Sequence, residues 1–326
     1  MIKISSYARL NFGLIDLSKT PFRVDGASGL AINIPAANVE LKKSDQVQLQ
    51  FTCNNKKRCE AVVKRCIKKI DGEKFSLKVE SLIDTHVGLG SGTQLAMAIV
   101  TAFNEEYQLR MSLDEMACLA GSGGTSNIGI YSFLHGGFNL DSGRLFPEEK
   151  NEIGPGEKFT FSKLSPLLLR MDMPQWHLCI VIPKIKKRIY DVMEEDLFQE
   201  YTPIAEEDVN ALCKCLLTGV LPAIKTESFF AFCRSIEQCM QYGFKKKEIG
   251  SYGSLIYDTF LNLKNKGAEG VGMSSFGPAV FGFYETYEKA KLAYEELKAS
   301  YLYDQVYLTT PRNQGASIHW DSVENK

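Results

Sequence analysis

The most informative segment of this chain reads His86-Val-Gly-Leu-Gly-Ser-Gly-Thr-Gln-Leu-Ala-Met-Ala98. Its glycines stand at every second position, where the missing Cβ lets backbone amides turn inward. The apolar continuation over 93–107 predicts a helix, whose first turn offers free N–H groups and the positive end of a dipole. This construction favours a phosphate site, although a plain turn with Ser91 or Thr93 as a helix cap is the alternative. The predicted phosphate-binding residues are Gly88, Gly90, Ser91, Gly92 and Thr93.

Two familiar phosphate-binding loops do not fit this segment. A Walker A loop needs a lysine directly after its last glycine, and no lysine follows these glycines. A dinucleotide-binding fingerprint needs a third small residue, where this chain has Thr93, and an acidic residue on the next strand. Here the strand ending at Asp141 comes only after two helical patterns. The segment therefore belongs to another class of loop.

A second glycine cluster reads Ala120-Gly-Ser-Gly-Gly-Thr-Ser-Asn-Ile-Gly-Ile130. It follows a predicted helix that Ser112 and Glu115 open as a capping box. Gly121 is suited to end that helix, but the cluster holds more glycines and hydroxyl groups than an ending needs. A ligand-facing turn and a structural turn both remain open. The candidate substrate-binding residues are Gly124, Thr125 and Ser126.

A third cluster, Gly272-Met-Ser-Ser-Phe-Gly-Pro-Ala-Val280, lies between two predicted strands. A plain hairpin is one interpretation, but the bulky Phe276 and the rigid Pro278 favour a shaped loop. Its hydroxyl and amide donors suit an anion. The candidates are Ser274, Ser275 and the amide of Gly277.

A charged cluster near the first strands holds Asp16, Arg23 and Asp25, beside Gly26. An arginine between two aspartates can bind a carboxylate or phosphate in bidentate fashion, or help to place a metal ion. The structural alternative is that Arg23 pairs with the aspartates and holds the strands together. His135, which precedes two glycines, is interpreted as a structural hydrogen-bonding residue.

The composition excludes several classes of protein. Among 326 residues, 38 lysines and arginines nearly balance 39 aspartates and glutamates, so nucleic acid is not expected as a partner. Membrane attachment is not expected either, because apolar runs such as Leu178–Pro183 are far shorter than the ~20 residues that span a bilayer. The first residues lack a signal-peptide pattern. Nine cysteines without a C-x-x-C pair argue against a disulfide framework or zinc site and favour the cytoplasm.

The order of the predicted elements indicates an α+β protein of two lobes, 1–172 and 173–326. Strands dominate the beginning, helices and strands alternate later, and the polar stretch 147–158 is interpreted as a surface loop. The main predicted strands are 2–15, 30–34, 47–51, 75–80, 137–141, 177–182, 269–273, 279–284, 304–309 and 316–319. The main predicted helices are 56–70, 93–107, 206–219, 226–241, 247–264 and 285–299.

Together these segments resemble the GHMP kinases and, more closely, the β-ribofuranosylaminobenzene 5′-phosphate synthases. The resemblance implies the two-lobed GHMP-kinase fold, with a ribosomal-protein-S5-like N-terminal lobe and a ferredoxin-like C-terminal lobe. Two departures from the synthase pattern, Ser122 where a basic residue is common and Asn127 where glycine is common, concern the choice of substrate. The matching segments, in the family's order, are Ala8-Arg-Leu-Asn-Phe-Gly-Leu-Ile-Asp-Leu17, Arg23-Val-Asp-Gly26 with Gly29-Leu-Ala31, His86–Gln94, Gly124-Thr-Ser126, Gly136-Gly-Phe138, Gly272–Pro278 and Arg312-Asn-Gln-Gly-Ala316.

The resemblance also implies a reaction. Phosphoribosyl pyrophosphate is joined to 4-aminobenzoate or 4-hydroxybenzoate, with release of pyrophosphate and carbon dioxide, on the way to methanopterin-type cofactors. The glycine loop at 88–93 then binds phosphate, with Mg²⁺ as the expected cofactor. Arg23 clamps the benzoate carboxylate or a phosphate, and Asp16 and Asp25 place the metal or bind the ribose hydroxyls or the arene's amine. The expected partners are these small molecules, and a homodimer is possible.

Two other functions remain open on the same fold. An ATP-dependent small-molecule kinase needs a catalytic carboxylate, for which Asp141 or Asp25 is available. The third cluster argues against a kinase, because Ser274–Pro278 stands where those enzymes have a run of glycines. A non-catalytic binding module is the other alternative, and the charged residues around Arg23 argue against it.

Overall fold

The computed structural model describes residues 1–159, 161–185 and 191–321. The strands are β1 (Ile2–Asp16), β2 (Arg23–Lys43), β3 (Gln48–Thr52), β4 (Phe75–Ser81), β5 (Phe138–Asp141), β6 (Arg144–Leu145), β7 (Leu167–Met171), β8 (His177–Pro183), β9 (Gly270–Met273), β10 (Val280–Tyr284), β11 (Tyr303–Thr309) and β12 (Ser317–Trp320). The helices are α1 (Lys56–Ile67), α2 (Ser91–Glu106), α3 (Leu113–Ala120), α4 (Ile128–His135), α5 (Asp191–Tyr201), α6 (Glu206–Cys215), α7 (Leu221–Lys225), α8 (Phe229–Cys239), α9 (Gly243–Gly250), α10 (Leu255–Asn265) and α11 (Tyr287–Ala299).

The larger sheet is built on the long antiparallel pair β1 and β2. Its strand order is β12-β1-β2-β4-β3, and β5 and β7 continue it beside β2. Alternate residues of β1, such as Ile2 and Ile4, are fully buried, as expected for a strand with one face on a core. Helix α2 packs against β1 and β2 and is buried on nearly every side, which explains its apolar sequence.

The smaller sheet is antiparallel, in the order β11-β8-β10-β9. Helices α8, α10 and α11 pack against it. A continuous hydrophobic core joins the two sheets, and the rings of Phe12 in β1 and Phe281 in β10 meet edge to face at 5.5 Å. The loops between the sheets are therefore held on a common rigid base.

Two sheets with packed helices confirm the α+β class. The chain changes sheet between Met171 of β7 and His177 of β8, whereas β12 returns to the larger sheet and pairs Trp320 with Ile2. The division into 1–172 and 173–326 stays a prediction. The single helix predicted over 247–264 is wrong, because a turn containing Gly253 at a φ of 61° separates α9 from α10. No helix in the described ranges is long and apolar enough to cross a lipid bilayer.

Candidate active site

The first glycine loop ends directly at the N-terminus of α2. Gly88 and Gly90 have φ values of 86° and 80°, in the left-handed region that favours glycine. A Cβ at Gly88 would overlap the carbonyl oxygen of Ser274, so the close approach of the two loops also requires glycine there. The first turn of α2, whose N–H groups have no partner within the helix, consequently borders a cleft.

Ser91 stands in that first turn with its hydroxyl oriented by a neighbour. The side-chain amide of Asn55 donates a hydrogen bond to Ser91 Oγ at 3.1 Å. Because the oxygen accepts this bond, the hydroxyl proton remains available to an anion in the cleft. Both Ser91 and Asn55 line the same cavity.

Strand β1 holds all three glycine clusters together through two residues. The Arg9 amide donates to the carbonyl oxygen of Leu89 at 3.2 Å, and Arg9 Nη1 donates to that of Gly88 at 2.6 Å. Asn11 Nδ2 donates to Ser126 Oγ at 3.2 Å. The backbone of Asn11 meets the third cluster, where its carbonyl oxygen accepts a bond from the Ser275 amide at 2.8 Å.

The third loop is fastened from inside by Ser274. This residue is fully buried, and its hydroxyl accepts a hydrogen bond from the Asn11 amide at 3.0 Å and donates one to the Gly88 carbonyl at 2.7 Å. The Gly277 amide donates to the carbonyl oxygen of Ser274 at 2.9 Å. The structure thus turns Ser275 and Phe276 toward the cleft and uses Ser274 and the Gly277 amide within the loop.

The middle cluster rests on the stretch 147–158. A Cβ at Gly124 would overlap the carbonyl oxygen of Gly156, so the two segments touch through their backbones. Arg144 Nη2 donates to the carbonyl oxygen of Gly123 at 2.8 Å and fixes the loop from below. Within the stretch 147–158, Gly156 helps to line the cleft beside Gly124, Thr125 and Ser126.

The three loops border two adjoining cavities, a large one of about 780 Å³ and a small one of about 240 Å³. The large cavity is lined by the first glycine loop, the start of α2 and the basic start of α1. The small cavity is lined by the middle cluster, Leu14 and Glu248. The residues that line both cavities, and so mark their junction, are Arg9, Arg58, Thr93, Glu194, Ser275 and Phe276.

Two arginines, Arg9 and Arg58, place positive charge at the junction. Arg58, from α1, donates through Nη2 to the Gly121 carbonyl and the Ser122 hydroxyl, both at 3.1 Å. Burial lowers the pKa of Arg9 to about 10, so this guanidinium is still charged at neutral pH. Within the described residues, Arg9 Nε finds no hydrogen-bond acceptor. An anion at the junction would supply one.

Asp16, Arg23 and Asp25 lie elsewhere. They border a separate, largely apolar cavity of about 200 Å³ that shares no lining residue with the two cavities of the cleft, as far as the structure describes the chain. Arg23 donates through Nε and Nη2 to the Gly143 carbonyl oxygen at 3.1 and 2.9 Å. It also lies 3.5 Å from Glu149. The assignment of the trio to the substrate stays a prediction.

Asp25 belongs to a buried polar network beneath the middle cluster. Its carboxylate accepts two bonds from Lys150 Nζ at 3.0 and 2.8 Å, and both side chains are fully buried. Burial raises the pKa of Asp25 to about 7 despite Lys150. Asp141 is also buried and accepts the amides of Asn127 and Gly143 at 2.9 Å each, and burial raises its pKa to about 6. This network supports the loop from behind.

Comparison with known proteins now identifies the family. The model of the GHMP kinases N terminal domain matches residues 57–137. A beta-ribofuranosylphenol 5′-phosphate synthase from Methanocaldococcus jannaschii is 32% identical over 97% of this chain and 99% of its own. The corresponding synthase from Archaeoglobus fulgidus is 34% identical over 88% of each chain. The chain belongs to the beta-ribofuranosylphenol 5′-phosphate synthase family. It is an enzyme of this type, a transferase within the GHMP kinase superfamily.

Solved structures confirm the GHMP-kinase fold. Homoserine kinase from Cytophaga hutchinsonii matches with a TM-score of 0.66 over 97% of each chain, at 18% identity. Mevalonate diphosphate decarboxylase from Staphylococcus aureus matches with a TM-score of 0.65 over 98% of this chain and 99% of its own, at 13% identity. At these identities the likeness concerns the fold alone.

Several residues of this family member's cleft were not singled out by the sequence. Arg9 and Asn11 lie in a segment that carried the resemblance, but nothing local to them indicates that β1 passes under three loops. Arg58 belongs to a basic amphipathic helix, where a solvated charge is the ordinary interpretation. Glu194 and Glu248 come from distant helices that only the fold brings to the cleft.

Proposed function

We propose that this enzyme transfers the phosphoribosyl group of phosphoribosyl pyrophosphate to 4-hydroxybenzoate, with loss of pyrophosphate and carbon dioxide, in the synthesis of a methanopterin-type cofactor. The observation that carries the proposal is the junction of two unequal cavities at Arg9. The phenol in the relatives' name favours 4-hydroxybenzoate over 4-aminobenzoate, because the ring substituent opposite the reacting carbon survives the reaction.

The large cavity suits the donor's pyrophosphate. The N–H groups at the start of α2 and the Ser91 hydroxyl face it, and Lys56, Lys57 and Arg58 border it. Helix N-termini and cationic side chains both favour a multiply charged anion. With pyrophosphate bound here, the anomeric carbon of the ribose lies toward the junction.

The small cavity suits the aromatic acceptor. Its volume of about 240 Å³ is below the range of roughly 300–1,000 Å³ typical of drug-sized ligands, as expected for a single ring. Leu14 and Phe276 give it apolar walls, and Gly124, Thr125 and Ser126 give it polar ones. The acceptor's carboxylate-bearing carbon would then face the junction.

The bond changes follow from this placement. The ring carbon bearing the carboxylate attacks the anomeric carbon, and the bond to pyrophosphate breaks. Loss of carbon dioxide returns an electron pair to the ring and restores aromaticity. Arg9 lies where negative charge grows on the departing oxygens, and a fixed charge at that point lowers the barrier.

The residues of the large cavity fit the expected Mg²⁺. Magnesium ions are usually held by one or two carboxylates together with substrate phosphates. Among the residues that line this cavity, the Ser91 hydroxyl and the Glu194 carboxylate would supply the protein's oxygen ligands. A bound Mg²⁺ would neutralise charge on the leaving pyrophosphate. In the part of the chain that is described, no group of three or more His, Cys, Asp or Glu side chains could hold a metal by itself.

The kinase alternative receives less support from the site. Its catalytic carboxylate has to stand beside the acceptor hydroxyl, and the two aspartates considered for it, Asp25 and Asp141, are fully buried in the network below the middle cluster. Both already accept hydrogen bonds there.

We also propose a cytoplasmic location. The nine cysteines are free thiols in the structure, a state that a reducing compartment maintains. The possible homodimer stays a prediction that sedimentation of the purified protein would check.

A direct assay tests the proposed reaction. The protein is incubated with Mg²⁺, phosphoribosyl pyrophosphate and 4-hydroxybenzoate labelled at its carboxyl carbon. We expect pyrophosphate and labelled carbon dioxide in equal amounts, and a ribosylphenol phosphate by mass spectrometry. Phenol in place of the acceptor is the control and should release no labelled gas. Formation of ADP from ATP and a sugar alcohol, with no pyrophosphate released from the first mixture, would contradict the proposal.

A further inference from the structure

A buried ion pair stands behind the small cavity. Lys245 and Glu248, one turn apart in α9, are 1% and 3% exposed, and the ammonium group contacts Glu248 Oε2. Taking two charges out of water is costly, and a well-packed apolar pair is often at least as stable. Stability alone therefore gives little reason for this pair, which points to a role in the cleft.

The lysine of the pair has a structural task. Its Nζ donates to the carbonyl oxygen of Ser275 at 2.6 Å and so anchors the third loop. Its alkyl chain runs beside Gly13 of β1, where a Cβ would lie 3.2 Å from it. Lys245 is thereby fixed from two sides, and it fixes one oxygen of Glu248 in turn.

The carboxylate of the pair has a side that the protein does not occupy. Glu248 lines the small cavity but not the large one. Oε2 is engaged by Lys245. Among the residues that the structure describes, Oε2 has this ion contact but no hydrogen bond of regular geometry. A carboxylate on the wall of a substrate-sized cavity that lacks a regular hydrogen bond from the protein can accept one from the ligand.

We propose that Glu248 is the catalytic base, and that it takes the proton of the acceptor's ring hydroxyl in the small cavity. This inference rests on the proposed function, because it requires an acceptor with a hydroxyl opposite its carboxylate.

The proton transfer makes the acceptor a nucleophile at the required carbon. As the hydroxyl proton moves to Glu248, the oxygen's electron pair enters the ring and builds charge on the carbon bearing the carboxylate. That carbon bonds to the anomeric carbon, and pyrophosphate leaves with the electrons of the broken bond. Carbon dioxide then departs, its bonding pair restores the ring as a phenolate, and Glu248 returns the proton. No oxidant or further reactant is needed.

The electrostatic surroundings agree with a base that works on a phenol. Burial raises the pKa of Glu248, and the ammonium of Lys245 offsets part of that rise. A phenol has a pKa near 10, so a raised carboxyl pKa reduces the difference in pKa between the proton donor and the base. The other charged groups lining the small cavity are Arg9 from β1, Arg58 from α1 and Glu194 from α5.

Glu248→Gln tests the proposal while keeping the shape of the side chain. We expect kcat with 4-hydroxybenzoate to fall by about 10²- to 10⁴-fold, the usual contribution of a general base, with KM for phosphoribosyl pyrophosphate unchanged. The wild-type kcat should rise with pH as Glu248 ionises. This rise, the acid limb of the pH profile, should be absent in the variant. Glu248→Asp, which keeps the charge, should retain the limb at a reduced kcat.

A pre-ionised acceptor separates a base from a structural group. 3,5-Difluoro-4-hydroxybenzoate loses its phenolic proton near neutral pH, so it needs no base at the assay pH. The wild type and Glu248→Gln should then differ by less than about 10-fold, because the contribution of the base is absent. Glu237→Gln, which breaks the Lys264–Glu237 pair (2.9 Å) outside both cavities, is the matched control and should leave kcat unchanged.

The outcomes are distinguishable. Glu248→Gln with a wild-type kcat and pH profile would overturn the proposal, and so would an equal loss with both acceptors. If the wild type releases no pyrophosphate with either acceptor, the proposed function fails and this inference fails with it.

Discussion

Arg9 and Arg23 carry the same charge in very different surroundings. Arg9 lies at the junction of the two cavities, bound to the Gly88 carbonyl through Nη1 and with Nε lacking a partner among the described residues. Arg23 donates hydrogen bonds through Nε and Nη2 to the Gly143 carbonyl oxygen and lies near Glu149. These contacts favour Arg9 as the residue that binds a substrate anion and Arg23 as a residue that holds β2 to the segment after β5.

Matched substitutions separate the two arginines. Arg9→Gln should lower kcat/KM for phosphoribosyl pyrophosphate by about 10- to 100-fold, because a hydrogen bond to a charged group contributes roughly 1.5–3 kcal/mol. Arg23→Gln should lower the free energy of unfolding by about 1–2 kcal/mol, through its lost bonds to Gly143, and leave kcat/KM within about 3-fold. Steady-state kinetics and urea unfolding of both variants provide the measurements. A stable Arg23→Gln protein without activity would instead support the substrate clamp expected from the sequence.

The sequence could not rank these two residues. Both stand on strands, and Arg23 has the more suggestive neighbours because two aspartates flank it. The deciding fact is that β1 runs beneath loops from residues 86–92 and 272–278, and this depends on packing between distant segments. A local pattern carries no information about such an encounter.

At the scale of elements, the first loop was predictable because its backbone demands glycine. The left-handed φ values at Gly88 and Gly90 require glycine, and the helix that follows has an apolar pattern, so both features are visible in the sequence. The capping box at Ser112 and Glu115 is confirmed for the same reason, since it depends on residues three apart. Helix α4 was not predicted, because Gly129 interrupts its helical pattern and its stability comes from tertiary packing.

The N-terminus of α2 provides a test at this scale. Ser91→Ala removes a hydroxyl that Asn55 orients toward the cleft, so we expect the Kd for pyrophosphate to rise about 10-fold or more, as for a charge-assisted hydrogen bond. The thermal midpoint should change little. Titration calorimetry and a melting curve measure the two quantities.

Ser112→Ala is the control for that substitution, since it also removes a serine at a helix N-terminus. It should destabilise the protein by about 1 kcal/mol through loss of the α3 cap, with an unchanged Kd for pyrophosphate. Equal affinity in Ser91→Ala and the wild type would remove the hydroxyl from the phosphate site.

At the scale of the whole molecule, the cleft is shared between segments that the sequence order separates. The first loop follows a strand of the larger sheet, and the third loop joins β9 and β10 of the smaller one. The return of β12 to β1 ties the end of the chain to its beginning. The order of the predicted elements indicated an α+β protein of two lobes. A strand pairing between distant residues, such as Ile2 with Trp320, leaves no local pattern in the sequence.

This shared cleft makes the choice of ligand measurable as stability. A ligand that contacts both the start of α2 and the third loop stabilises the native state according to its affinity, by about 2.7 kcal/mol at 100 times its Kd. With Mg²⁺ present, phosphoribosyl pyrophosphate should therefore raise the melting temperature by several degrees, and more than ATP at the same concentration. Phe276 is the reason for this preference, because it fills space at the junction of the two cavities. A third loop rich in glycine would leave that space open. The shift should shrink in Arg9→Gln, which lacks the cation at that junction. An equal or larger shift with ATP would mean that the cleft is built for a nucleotide, and the kinase function would then be the better account of the site.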